Sequence, residues 1–263
     1  MTAERHDRDA GGDPELLERK AGLRDRVWSA LEESDDRRFP GARGRIPNFV
    51  GAEEAAERLR AREEWGGAAR LKANPDSPQW PVRQRALEDG KTVYMAVPRL
   101  AREHPFFLLD PSRLEDSPRR ASSIKGASRS GITVDVADLE PVDLVLTGCV
   151  AAAPDGRRLG KGGGFSDLEY AVALEAGLVG PETPVATTVH ELQVVEEGEI
   201  PVTGHDVRLD LIVTPDRVIE VPPGAAPSDG PSGVRWEELT EEKIGSIPLL
   251  QRLREEDGAA RDG

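Results

Sequence analysis

Hydrophobic positions follow a helical period in some parts of the chain and a strand period in others, and this pattern predicts the order of elements. Leu23, Val27 and Leu31 recur at helical spacing, before the segment "DDRRFPGARGRIPNF", whose prolines and glycines favour a loop. Residues 52–65, "AEEAAERLRAREEW", combine strong helix formers with an acidic first turn. We therefore expect two helices before the first strand.

The rest of the chain alternates between predicted strands and predicted helices. The segments "ARLKA", "KTVYMAVPRL", "VDLVLTGCVAA", "PVATTVHELQVV" and "VRLDLIVTPDRVIEV" favour strands, whereas "WPVRQRALEDG" and "SDLEYAVALEAGLV" favour helices. The uninterrupted apolar run "VDLVL" is typical of a strand that is covered on both faces. Strand, helix and strand at this spacing predict right-handed crossovers and a largely parallel sheet in an α/β fold.

Composition shifts divide the chain into four segments. Residues 1–14 are polar and predict a disordered arm, and residues 15–221 predict one α/β domain. Residues 222–233, "PPGAAPSDGPSG", predict a flexible linker, and residues 234–263 a helical segment that packs on the domain and ends in a frayed tail. Residues 110–131 show little periodicity and predict a surface excursion.

Acidic residues exceed basic ones by 49 to 35, which gives a net charge of −14. A field of that sign repels nucleic acid and membrane phosphates, so neither is an expected partner. The chain has neither an apolar run of membrane-spanning length nor an N-terminal signal pattern, which predicts a cytoplasmic protein. The single cysteine, Cys149, lies in an apolar run and is expected in the core.

One glycine-rich segment, residues 156–170 or "GRRLGKGGGFSDLEY", carries several features of an anion site. Ser166 and Glu169 have the spacing of a capping box, which predicts a helix that starts at Asp167. The glycines then end on a helix N-terminus, where free N–H groups and the helix dipole attract anions. Arg157, Arg158 and Lys161 supply the cationic side chains of this segment, and its glycines leave room for phosphate oxygens.

Known glycine motifs do not fit the segment. Gly162 follows Lys161 where the phosphate-binding loop G-x-x-x-x-G-K-[ST] needs Ser or Thr, and the spacing G-x-G-G-G differs from the dinucleotide motif. The segment predicts a phosphate site of unidentified ligand, and a plain glycine connector is the alternative. Asp167 could interact with the helix dipole or hold Mg²⁺ together with Asp206 or Asp210.

These residues together resemble the 5-formyltetrahydrofolate cyclo-ligase family, whose signature reads approximately G-x-R-L-G-x-G-x-G-Y-Y-D. The segment matches it at seven positions: Gly156, Arg158, Leu159, Gly160, Gly162, Gly164 and Asp167. The segments "KAGLR" and "PVTGHDVRLDLIVTPDRVIE" also match, and "RIPNFVGAEEAAERL", "KANPDSPQ" and "VHELQVV" are similar to the methenyltetrahydrofolate synthetase domain-containing branch. The resemblance covers roughly residues 16 to 250.

The resemblance implies a Rossmann-like three-layer α/β/α fold of the sugar-phosphate isomerase and CoA transferase kind. It also implies an enzyme that uses ATP and Mg²⁺ to convert 5-formyltetrahydrofolate into 5,10-methenyltetrahydrofolate, ADP and phosphate through a phosphorylated formyl group. Arg158 and Lys161 would be catalytic, and Asp167 and Asp206 would hold Mg²⁺. The residues expected to bind ATP are Lys20, Arg24, Gly160, Gly162, Gly163, Gly164, Phe165 and Ser166.

The segment departs from the family signature where the chemistry is expected. Gly163 stands where the family has lysine, and Phe165 and Ser166 stand where it has two tyrosines. Two hypotheses follow: an active cyclo-ligase acting on a reduced folate or related pterin, or a non-catalytic folate- or nucleotide-binding regulator. Either is expected as a monomer or weak homodimer. A role in RNA binding lacks an aromatic RNA-recognition segment and is opposed by the net charge.

The acid excess is spread over the whole chain and favours a halophilic protein, because concentrated salt screens the self-repulsion of a charged surface. We expect the melting temperature to rise from dilute buffer to about 2 M potassium chloride, where the screening length falls to a few ångströms. Differential scanning calorimetry over this range measures the effect. Equal stability at both salt concentrations would contradict the halophilic interpretation.

Overall fold

The computed structural model describes residues 13–225 and 231–261, and the helices of this part alternate with strands along the chain. The helices are α1 Pro14–Glu33, α2 Ala52–Arg60, α3 Glu63–Gly67, α4 Trp80–Glu88, α5 Pro118–Ala121, α6 Ile124–Ser130, α7 Phe165–Glu175, α8 Glu241–Ser246 and α9 Pro248–Arg261. The strands are β1 Arg70–Ala73, β2 Thr92–Ala96, β3 Phe106–Leu109, β4 Ile132–Val134, β5 Leu144–Leu146, β6 Ala151–Ala152, β7 Arg158–Leu159, β8 Val185–Thr188, β9 Leu211–Val213 and β10 Val218–Glu220.

Eight of these strands form one sheet in the order β10-β9-β8-β5-β1-β2-β3-β4. The five central strands, from β9 to β2, are parallel, whereas β10, β3 and β4 pair antiparallel at the two edges. Strand β5 is buried at every position, as its apolar run predicts. The short strands β6 and β7 form a separate antiparallel hairpin. The predicted mostly parallel sheet is confirmed.

Helices cover both faces of the sheet, which makes three layers. On one face, apolar side chains of α2, α4, α5 and α6 pack on the strands in one buried cluster. On the other face, α7, α8 and α9 form a second cluster with the strands. Helix α1 packs on the hairpin of β6 and β7 in a third. Within the described ranges, no helix is long and apolar enough to cross a membrane.

The chain order reverses at β1, which lies between β5 and β2. From β1 the chain continues to β2 on one side, while β5, β8 and β9 follow on the other side. A crevice opens beyond the carboxyl ends of parallel strands at such a reversal, and ligands of open α/β sheets bind there. The residues that follow β1 and β5, starting at Asn74 and Thr147, therefore line the expected binding edge.

The prediction of one helix over residues 52–65 is wrong, because the chain breaks into α2 and α3. Arg62 adopts an extended conformation between them, with φ −84° and ψ 154°. Leu59 and Trp65 are both buried in the same cluster, yet residues six apart differ by about 240° on a continuous helix. The break turns the Trp65 ring inward, where its Nε1 donates to Asp89 at 2.9 Å.

The prediction of a surface excursion over residues 110–131 is also wrong in part. This segment contains α5 and α6, and Ala121 and Ala127 are completely buried in the cluster on that face of the sheet. The Arg83 side chain is buried and its Nε donates to the Ser122 carbonyl at 3.0 Å. Short elements of this kind show too few turns to produce a periodic pattern, so the sequence does not predict them.

The ends of the predicted segments fall partly outside the described residues. Of the predicted arm, residues 1–12 are not described, and Asp13 and Pro14 already form the start of α1. Residues 226–230 of the predicted linker and residues 262–263 of the predicted tail also lie outside the described ranges. The four-segment division therefore stays a prediction.

We expect Leu250→Ala to lower the free energy of unfolding by about 2–5 kcal/mol, because it empties a fully buried position in α9 that packs in the same cluster as α7. Leu192→Ala is the control: its side chain is 40% exposed, so we expect a change of about 0.5 kcal/mol or less. Urea unfolding measures both. No loss for Leu250→Ala would mean that residues 234–263 do not belong to the core.

Candidate active site at the glycine segment

The glycine segment leads directly into helix α7, but not through the predicted capping box. The helix starts at Phe165 rather than Asp167, and its N-cap is Gly164, which has a φ of 61° and no side-chain oxygen. The Ser166 hydroxyl instead contacts Asn74 and Thr147, which follow β1 and β5, and Glu169 binds Lys72 of β1. The predicted arrangement of a glycine run that ends on a helix N-terminus is nevertheless present.

Asn74 joins the carboxyl ends of β1 and β5 to the start of α7. Its Oδ1 accepts hydrogen bonds from the Gly148 N–H and the Ser166 hydroxyl, each at 3.1 Å. Its Nδ2 donates to Glu169 Oε2 at 2.7 Å, and the Ser166 hydroxyl also lies 2.7 Å from Thr147 Oγ1. These bonds fix the N-terminus of α7 over the point where the strand order reverses.

A buried ion pair lies beneath these contacts. Lys72 Nζ, from β1, lies 2.5 Å from Glu169 Oε2, and both side chains are at most 4% exposed. Burial raises the pKa of Glu169, although the Lys72 ammonium opposes this shift. The signal in the sequence for such a pair was Lys72, a charged residue inside the predicted strand "ARLKA", and sequence reasoning missed it.

The buried Arg158 and the half-buried Asp167 form a second ion pair beside the glycine segment. Arg158 is the first residue of β7, is 2% exposed, and its guanidinium donates to Asp167 Oδ1. The Val207 N–H donates to the same oxygen at 3.0 Å. Burial opposes ionisation of Asp167, but the guanidinium charge and the Val207 N–H outweigh it and lower the pKa of this carboxyl.

Helix α1 brings two more cations to the segment. Lys20 Nζ lies 2.8 Å from Asp206 Oδ2, and Arg24 Nε donates to the Gly160 carbonyl at 2.8 Å. Both cationic side chains are buried, although their spacing on an amphipathic helix would also suit a solvated face. The structure therefore places Lys20, Arg24, Asp206 and the glycine segment in one cluster.

The remaining cations of the segment point in different directions. Lys161 Nζ contacts Asp76 Oδ1 at 3.0 Å, which connects the glycine segment to the loop after β1. Arg157, in contrast, binds Asp155 at 3.0 Å and the Ile200 carbonyl at 3.1 Å. Of the three cations expected at this segment, Arg157 is the one that binds residues away from the site in the described part of the chain.

The carboxylates proposed for Mg²⁺ are both bound to cations. Among residues 13–225 and 231–261, no group of three or more His, Cys, Asp and Glu side chains could hold a metal by itself. An ion that takes one or two protein carboxylates together with substrate oxygens, as Mg²⁺ does, needs no such group. Asp210 Oδ2 accepts from the Val185 N–H at 2.8 Å, so this carboxylate connects β8 to the start of β9.

Cys149 is confirmed as a core residue. Its side chain is completely buried, and burial raises the pKa of the thiol to about 11. The thiol therefore stays protonated at neutral pH and is no nucleophile.

Comparison with known proteins identifies the family of this chain. The model of the 5-formyltetrahydrofolate cyclo-ligase family matches residues 17–215, which include the glycine segment and both carboxylates. The chain belongs to this family. A methenyltetrahydrofolate synthase domain-containing protein of Mus musculus is 38% identical over 244 residues, which are 92% of this chain. Those residues are 64% of the mouse protein, so this chain spans under two thirds of that relative's length.

Two further matches concern shorter proteins of the family. The 5-formyltetrahydrofolate cyclo-ligase of Escherichia coli K12 is 31% identical over 143 residues, which are 53% of this chain and 72% of that enzyme. The NMR structure of Aquifex aeolicus 5,10-methenyltetrahydrofolate synthetase superposes with a TM-score of 0.50 at 20% identity. It covers 78% of this chain and 94% of the Aquifex chain, and it supports the three-layer fold.

We expect Lys72→Met to lower the free energy of unfolding by about 3–5 kcal/mol at pH 8, because it leaves the Glu169 carboxylate buried without its ammonium. Protonation of Glu169 relieves this penalty. The pKa of Glu169 is raised in the folded protein, so protonation of this carboxyl stabilises the fold below its unfolded pKa. That contribution disappears as the pH rises through the folded pKa. The stability lost in Lys72→Met should therefore be smaller at pH 5 than at pH 8.

Urea unfolding at the two pH values measures the effect. The control is Arg43→Gln, which removes an ion pair with Asp25 whose side chains are each 57% exposed, and it should change stability by about 1 kcal/mol or less. The double variant Lys72→Met/Glu169→Leu should recover much of the lost stability. A pH-independent loss would contradict the buried-charge explanation.

Proposed function

We propose that this protein is an ATP- and Mg²⁺-dependent 5-formyltetrahydrofolate cyclo-ligase that acts on 5-formyltetrahydrofolate or a related reduced pterin. The observation that supports this best is the convergence of cations on the glycine segment in an acidic protein. Lys20, Arg24 and Arg158 are each buried beside it, at the N-terminus of α7. Buried cations around glycines at a helix N-terminus suit a polyphosphate.

In this proposal the glycines Gly160, Gly162, Gly163 and Gly164 cradle the ATP phosphates, next to Phe165 and Ser166. Lys20 and Arg24 neutralise phosphate charge, and Arg158 and Lys161 stabilise the charge that develops during transfer. The Nε of Arg158 is buried and has no hydrogen-bond partner in the described residues, which leaves one donor for a ligand oxygen.

Asp167 and Asp206 would hold Mg²⁺, which supplies charge neutralisation at the phosphates. The two carboxylates are linked through Val207, which follows Asp206 in the sequence and donates its N–H to Asp167. Each carboxylate also contacts a cation. Positioning is the main contribution of these residues, because transfer of the γ-phosphoryl group to the formyl oxygen requires alignment and neutralised charge rather than covalent help from the protein.

A non-catalytic folate- or nucleotide-binding regulator is the second candidate. One observation favours it: the Ser166 hydroxyl, at a position where the family has tyrosine, is held by Asn74 and Thr147 inside the fold. This candidate predicts that calorimetry detects binding of ATP or reduced folate while no methenyl product forms. The cyclo-ligase proposal predicts both binding and turnover.

We expect the methenyl chromophore to appear when the protein, ATP, Mg²⁺ and 5-formyltetrahydrofolate are mixed, and Arg158→Met to lower the rate about 10²-fold or more, because a buried charged donor is lost. Arg157→Met is the matched control, since the neighbouring Arg157 binds Asp155 instead of the site. Absorbance at low and at molar salt measures turnover. No chromophore at either salt concentration would reject the cyclo-ligase activity.

A further inference from the structure

Gln79 is a fully buried glutamine whose side-chain amide is only half paired. It ends the short helical turn Ser77–Gln79, which follows β1, and it is 0% exposed. Its Nε2 donates to the carbonyl of Thr188, the last residue of β8, at 3.2 Å. Its Oε1 is buried and accepts no hydrogen bond from the described residues. The reverse orientation of the amide would place Oε1 against the Thr188 carbonyl, so the unpaired atom is the oxygen.

A second buried glutamine is fully paired in the same part of the fold. Gln193 Nε2 donates to the carbonyls of Cys149 and Val150, at 3.0 and 3.1 Å. Its Oε1 accepts from the His190 N–H at 2.9 Å. Contacts within the fold therefore explain this amide completely. A buried acceptor without a donor costs stability, so contacts within the fold do not explain why Gln79 carries one.

The unpaired oxygen lies at the binding edge of the sheet. A Cβ atom on Gly148, which follows β5, would come within 2.8 Å of Oε1 and 3.1 Å of the Ile46 side chain. The Gln79 and Ile46 side chains thus meet at a point where Gly148 has no side chain. The stretch after β1 also reaches the glycine segment, because Asp76 binds Lys161 at 3.0 Å. Oε1 is therefore an acceptor on the same edge as the proposed nucleotide site.

The chemistry of this amide selects the kind of group that can pair with it. Nε2 is committed to the Thr188 carbonyl, so Gln79 offers a ligand an acceptor and no donor. The pyrimidine edge of a reduced pterin carries a ring N–H and a 2-amino group side by side, and both are donors. The edge of adenine instead combines an amino donor with ring-nitrogen acceptors. An acceptor without a neighbouring donor therefore suits the pterin better than the nucleotide base.

We propose that Gln79 is a specificity-determining residue, whose Oε1 accepts a hydrogen bond from the 2-amino group of the reduced pterin. This inference rests on the proposed cyclo-ligase function, in which the pterin lies beside the glycine segment. The Ile46 side chain turns away to admit the ring, and the Thr188 carbonyl holds the amide in orientation. A buried acceptor discriminates against a ligand without the matching donor, because the acceptor then stays unpaired.

The first test compares Gln79→Met with Gln193→Met in the absence of ligand. We expect Gln193→Met to lower the melting temperature by about 4 °C or more, because three backbone groups lose their partner. Gln79→Met should change it by about 2 °C or less, since removal of the unpaired oxygen offsets the lost bond to Thr188. Differential scanning calorimetry measures both. Equal losses in the two variants would overturn the inference.

The second test is calorimetric titration with 5-formyltetrahydrofolate and, separately, with ATP. We expect Gln79→Met to weaken the folate about ten- to a hundredfold and to leave the affinity for ATP unchanged. Gln193→Met, measured below its melting temperature, should leave both affinities unchanged. Unchanged folate affinity in Gln79→Met, equal weakening of folate and ATP, or equal weakening in Gln193→Met would each overturn the inference.

A change in the ligand tests the same contact in the wild-type protein. An analogue of 5-formyltetrahydrofolate with a methyl group in place of the 2-amino group should bind about ten- to a hundredfold more weakly than the parent folate. Gln79→Met should bind the analogue and the parent folate equally, because the contact is already lost. Full affinity of the wild type for the analogue, or no binding of the parent folate, would overturn the inference.

The outcome is separable from that of the proposed function. Folate binding that depends on Gln79, without methenyl product, supports the inference and rejects the cyclo-ligase activity. Methenyl product from a protein whose folate affinity does not change in Gln79→Met supports the activity and overturns the inference.

Discussion

The contacts of Asn74, Lys72 and Glu169 set the position of helix α7, and the site depends on that position. Glu169 lies one helical turn inside α7 and accepts from both the Lys72 ammonium and the Asn74 amide. A buried carboxylate needs such partners, so α7 has one favourable placement over the carboxyl end of β1. The glycines that precede α7 are thereby held at the reversal of strand order, where an α/β sheet offers a binding crevice.

Buried cations gather at the glycine segment, although the chain as a whole is acidic. The protein carries a net charge of −14, yet buried cations from α1, β7 and α8 meet around one short glycine segment. Each is held by a carbonyl or a carboxylate, as Arg24 is by Gly160 and Lys20 by Asp206. Such preorganised donors suit a polyphosphate, because little reorganisation is required when the ligand arrives.

Much of the fold was predictable from sequence, because strand and helix periods are local properties. The run "VDLVL" predicted a doubly covered strand, and β5 is one. Elements shorter than two turns, such as α5, were not predictable, since too few residues show a period. The break between α2 and α3 was hidden for another reason: only the packing of Trp65 on the sheet requires it.

The sequence by itself determined the α/β class, the glycine segment and its match at Arg158 and Asp167, because these follow from local pattern and from a short motif. Only the tertiary structure decided that Glu169 binds the sheet instead of capping α7, and that Lys243 joins the segment. The physical reason is that ion pairs and buried donors link residues far apart in the chain, and their partners are set by how the layers pack.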